Sequence, residues 1–95
     1  MDELEAETGK TPSVELPDEL TITLRRPVKL GDAEYSVLTL REPTAAQWLQ
    51  WSKLSGVEGD VKAVSVVSGV PEGAIRLIGM RDLLEAARYI GAFLS

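Results

Sequence analysis

The sequence predicts an α+β fold: an N-terminal antiparallel β-hairpin followed by a bundle of three to four short helices. Three observations predict it. Residues 20–30 alternate apolar and polar side chains with the period of a half-buried strand. A Gly31-Asp32 turn pair separates them from a second β-branched run. After Pro43 the apolar spacing changes to three- and four-residue steps, which is helical.

Residues 1–18 read as an acidic flexible leader, punctuated by Gly9, Pro12 and Pro17 and poor in apolar side chains. Residues 1–19 carry seven acids against Lys10 and net −6, whereas residues 20–95 carry eight acids and nine bases and net +1. Residues 19–95 therefore form a single small, nearly neutral domain, and such bodies tend to self-associate.

In the first strand Ile22, Leu24, Val28 and Leu30 share one parity, and Thr21, Thr23, Arg25 and Lys29 the other. Arg26 breaks the pattern and Pro27 cannot donate to a ladder, so a bulge or an edge is expected there. The second strand, Glu34 to Leu40, pairs with the first. Its apolar parity shifts between Val37 and Leu38, which predicts cover on both faces.

Arg41, Glu42, Pro43 and Thr44 form the strand-to-helix joint. Pro43 keeps Glu42 out of helical geometry. Thr44 with Gln47 makes a capping box for a first helix over Ala45 to Leu54, ended by Gly56. A second helix starts near Glu58, places Val57, Val61, Val64 and Val67 on one face, and stops at Gly69. Pro71 and Glu72 suit the start of a short third helix carrying Ala74, Ile75, Leu77 and Ile78. Gly79 marks a bend. The last helix, Met80 to Leu94, carries a stripe of Leu83, Ala86, Ala87, Ile90 and Leu94, with Asp82 near its positive start.

The chain has 95 residues with neither cysteine nor histidine. That removes thiolate nucleophiles, disulfides and the commonest general base and metal ligand. No serine lies in a nucleophile elbow. Glu58 with Asp60 reads as a helix-start cluster, and Asp82 with Glu85 as a solvated helix face. No catalytic, cofactor-binding or metal-binding residue is expected, and no cofactor. Arg25, Arg26 and Lys29 form a small basic knot, read as charge that deters edge pairing. With a pI near 4.6, the chain is not expected to bind nucleic acid. Arg76, Arg81, Asp82, Glu85 and Arg88 interrupt the apolar C-terminal stretch, so no membrane partner is expected.

What remains is binding. Ala45, Trp48, Leu49, Trp51 and Leu54 cover more than half of a helix circumference, more than one face of a small core absorbs. Either Trp48 and Trp51 both pack under the hairpin, or one of them, Trp51, is left exposed as an aromatic anchor for a partner. Trp48, Trp51, Leu54, Leu83, Tyr89, Ile90 and Phe93 are the candidate partner-binding residues. The valine stripe and the last helix's stripe are each candidates for core or groove. Homo-oligomer formation is expected from the excess apolar surface.

The series Pro27, Gly31, Tyr35, Leu38, Leu40, Arg41, Glu42, Pro43, Thr44, Ala45, Gly69, Asp82 and Leu83 resembles the small tail assembly chaperones of contractile-tailed phages and related prophages. The likeness covers about residues 20–94. It implies a chaperone that binds the tape measure protein and keeps its apolar helices soluble during tail morphogenesis. It further implies handover to tail tube protein and a frameshifted longer form of the chain as a partner. The implied location is the cytoplasm of the infected bacterium, with absence from the mature virion. A structural tail subunit retained in the particle, or a small non-enzymatic regulatory domain, is the alternative.

Overall fold

A computed structural model describes residues 16–94. The expected acidic leader therefore lies, up to residue 15, outside the described residues. The first two elements are β1 (Glu19–Leu30) and β2 (Ala33–Arg41), paired antiparallel in a two-stranded sheet. Gly31 turns between them at φ 62, a left-handed conformation that glycine adopts without steric cost.

The ladder runs from Glu19 opposite Arg41 to Thr23 opposite Val37, then resumes with Val28 opposite Tyr35. Between these pairs four residues of β1, Leu24 to Pro27, face Ser36 alone. This is the irregularity expected around Arg26 and Pro27, where the ladder loses a donor. It also accounts for the parity shift in β2. Leu38 and Leu40, opposite Ile22 and Leu20, are fully buried, while Val37 is 45% exposed. Beyond the bulge Tyr35 meets Val28 and packs against the core. Cover on both faces of β2 is thus not found: the shift marks a bulge, and the outer face is open.

Helix α1 (Ala45–Leu49) begins at Thr44, whose hydroxyl accepts from the Gln47 N–H at 3.0 Å while the Gln47 carboxamide accepts from the Thr44 N–H at 2.9 Å. The capping box is as expected; the length is not. After Leu49 the N–H groups of Gln50, Trp51 and Leu54 donate three residues back, to Gln47, Trp48 and Trp51. The chain tightens into turns instead of continuing an α-helix to Leu54.

Helices α2 (Gly56–Ser68), α3 (Glu72–Ile75) and α4 (Met80–Ala92) follow. Gly69 stops α2 at φ 77, its N–H bonded to the Ser65 carbonyl at 2.9 Å, a left-handed helix end. Ser65 Oγ donates to the Val70 carbonyl at 2.6 Å, which turns the chain back. Pro71 is the N-cap of α3 rather than its first residue. Two ion pairs hold α3 to α2: Lys62 with Glu72 at 2.7 Å and Arg76 with Glu58 at 3.0 Å. The Lys62 hydrogen bond holds the Glu72 carboxyl below the usual range.

The helices pack on one face of the ribbon. The core joins Ile22, Leu24, Leu38 and Leu40 to Val61, Val64, Ala74, Ile75, Leu83, Ala86 and Ile90. Two strands alone are marginal in water, so this packing is what makes the hairpin a stable element.

Candidate functional site

Both apolar stripes are spent on the core of the single chain. Val61 and Val64 of α2 and Leu83, Ala86 and Ile90 of α4 are buried; Val57 is 53% exposed and Leu94 48%. The two tryptophans divide: they do not both pack under the hairpin, and the exposed one is Trp48, not Trp51. Trp51 is buried at 7% and Trp48 is 41% exposed. Trp51 follows the tightened end of α1 and enters the core, whereas Trp48 and Leu49 stay on the outward side of the short helix. Of the candidate partner-binding residues, Trp51, Leu83, Tyr89 and Ile90 are core side chains here, Phe93 is half-buried, and Trp48 and Leu54 are open to a partner.

Four of the exposed large apolar side chains lie close together in the chain, while Leu30, Val37, Leu77, Met80, Leu84 and Leu94 are exposed elsewhere. Trp48, Leu49, Leu54 and Val57 all fall within residues 48–57 and are all exposed. Beside them a groove of about 150 Å³ runs between the α1–α2 turn, α2 and the end of α4. Its apolar walls are Trp51, Leu54, Ala63, Ile90 and Leu94, and Asp60 stands on its rim. Gly59 allows this closeness, because a Cβ there would lie 3.3 Å from the Leu54 backbone carbonyl. The groove takes one or two side chains. It does not take the full width of a helix, which is about 10 Å.

On the other side of α4 the surface is locked. Asp82 is 1% exposed. Its carboxylate accepts from the Arg25 backbone N–H at 2.9 Å and from the Arg25 guanidinium at 2.6 Å. The bond joins the β1 irregularity to the first turn of α4, so Asp82 is no part of a solvated helix face. Asp82, Ala86, Tyr89 and Phe93 recur at helical spacing, and an acid at a core position of that series was the readable signal. Tyr89 packs edge-on against Phe93 with centroids 5.1 Å apart, and its hydroxyl donates to the Pro17 carbonyl at 2.6 Å. Burial, helped by Asp18, Glu19 and Glu42, pushes the Tyr89 phenol up. At the joint, Arg41 meets Glu19 directly across the ladder at 2.6 Å.

The family model described as phage tail assembly chaperone proteins, E, or 41 or 14, matches residues 21–95. The chain belongs to this family. No curated protein and no solved structure matches it. In this tail assembly chaperone the matched span takes in the hairpin from Thr21 on, the Arg41–Thr44 joint, the groove and the Asp82 clasp. Among the described residues no helix is long and apolar enough to cross a membrane. Leu49, on the wide apolar face of α1, and Val57, at the start of the valine stripe, are both exposed rather than core.

Proposed function

We propose that this tail assembly chaperone holds the tape measure protein in solution by taking apolar client side chains at the α1–α2 end. The observation that supports this reading is the exposed set Trp48, Leu49, Leu54 and Val57 beside the groove floored by Trp51 and Ile90. The client helix lies across the groove and inserts one or two apolar side chains into it. This is a variant of helix-in-groove recognition, with anchors at helical spacing on the client's side.

The energetics favour a reversible grip. Finishing the burial of one half-exposed apolar side chain is worth about 1 kcal/mol. A handful of them barely exceeds the cost of association, which is several kcal/mol. One copy on one anchor site is therefore weak. Many copies along a long client add through effective concentration. A holdase without nucleotide chemistry acts by mass action and leaves when a better partner covers the client. Tail tube protein is the proposed successor, the bacterial cytoplasm the proposed place, and homo-oligomers the proposed working form.

Co-expression with an apolar helical segment of the tape measure protein tests this. The client is expected to become soluble and to co-purify, and a Trp48→Ala/Leu54→Ala double variant is expected to lose most of that without losing its fold. A client that stays in the pellet beside abundant, folded chaperone sinks the reading.

A further inference from the structure

We propose that β2 offers its free edge to a second copy of this chain, joining two hairpins into one four-stranded antiparallel sheet about a two-fold axis at Val37. This deepens the self-association proposed above by naming its surface.

A two-stranded sheet leaves one edge of each strand unpaired. The two edges differ. Along β1 the ladder breaks between Thr23 and Val28, and Arg25, Arg26, Pro27 and Lys29 crowd the same stretch. Breaks, proline and lysine are the usual means of blunting an edge. The β2 sequence AEYSVLTLR has neither proline nor glycine. Among the described residues no backbone hydrogen bond from a turn, cap or loop reaches it. Ser36, Val37 and Thr39 are exposed along it.

The strand also complements itself. Acids stand at its start, Asp32 and Glu34, and Arg41 at its end. Antiparallel pairing about Val37 brings each acidic start against the other copy's Arg41. It sets Val37 opposite Val37, so that two exposed apolar side chains cover each other across the new ladder. Directly opposed residues share a face. This register therefore keeps the buried Leu38 and Leu40 of both copies on one side, together with their helices, whereas a one-residue slip turns them outward. An arbitrary client strand supplies neither the charge match nor the face match. Because the outer edges of the joined sheet are the two blunted β1 strands, the contact closes as a dimer and does not propagate.

The absence of cysteine makes the test clean. Single Val37→Cys, Thr39→Cys and Thr21→Cys variants of the full chain are oxidised with diamide at low concentration. Only the position on the axis brings two Cα atoms within disulfide reach; the two Thr39 positions are separated by about 13 Å along the strands. Val37→Cys is expected to cross-link roughly tenfold or more over the other two. A folded Val37→Lys variant, checked by circular dichroism, is expected to sediment as a monomer where the native chain sediments as a dimer. Equal cross-linking at all three positions, a monomeric native chain, or an unchanged Val37→Lys dimer overturns the proposal. So does a Val37→Cys product that forms only with a tape measure segment, since that assigns the edge to the client. Neither readout needs a client, so failure of the co-expression test leaves them standing.

Discussion

The side where the hairpin meets α4 and the end where α1 turns into α2 are similarly apolar, yet only the first is sealed. Leu38, Leu40 and Ala86 are fully buried, whereas Leu49, Leu54 and Val57 are 68%, 47% and 53% exposed. The difference lies in what ties each region down. The sealed side is closed by bonds between distant parts of the chain, Arg25 to Asp82 and Tyr89 to Pro17. The open end is held mainly by local bonds, the Thr44 cap and turns reaching back three residues, with the exposed Arg76–Glu58 ion pair as its longer tie. A chain of this size has little stability in reserve. Concentrating cohesion on one side leaves the other free to present apolar groups at small cost to the fold.

Paired truncations test that contrast most severely. Leu38→Ala is expected to destabilise by about 3 kcal/mol, the cost of a cavity in a closed core. Leu54→Ala removes a similar volume from the open end and is expected to change stability by less than about 0.5 kcal/mol. Urea unfolding followed by circular dichroism, with unchanged slope, measures both. Equal losses at the two positions break the contrast between sealed and open regions.

The clasp comes next in size. Asp82→Ala leaves the Arg25 backbone N–H without its acceptor and takes an acid from the first turn of α4. The expected loss is about 2 kcal/mol. It stays below the cost of breaking a wholly buried ion pair, because the Arg25 side chain is 58% exposed and remains hydrated. The same unfolding experiment should leave α1 end properties, including client retention at low denaturant, untouched. A variant as stable as the parent shows that packing alone closes the hairpin onto α4.

What was legible in the chain follows the same division. The hairpin, its turn at Gly31, its irregularity near Pro27, the Thr44 capping box and the four helix positions were readable, because each rests on residues a few steps apart. The burial of both stripes was not decidable from period alone, since core and groove demand the same pattern. The choice between Trp48 and Trp51 turned on where α1 stops. After Leu49 the chain tightens into turns, and Trp51 is buried in the core while Trp48 stays exposed. The Arg25–Asp82 bond joins residues 57 positions apart. An acid in register with Ala86 and Tyr89 hinted at it, but its partner on β1 could be named only in three dimensions.

The smallest expected effect sharpens the boundary of the sealed side. Tyr89→Phe keeps the ring and its edge-on contact with Phe93 but loses the hydroxyl that donates to Pro17. The expected loss at neutral pH is about 1 kcal/mol. The pH dependence gives a second, more specific readout. The folded-state pKa of Tyr89 lies above its ordinary value of 10.0, chiefly because burial disfavours the phenolate and then because Asp18, Glu19 and Glu42 are near. A raised folded value means that the folded state keeps the proton longer than the unfolded chain does. The resulting stabilisation is complete below about pH 10 and is lost as pH rises through the folded value. Thermal melts from about pH 8 upward should therefore show an alkaline decline in the parent that is shallower in Tyr89→Phe. If the two curves fall in parallel, Tyr89 contributes only its ring, and the contact with Pro17 does not help to seal this side.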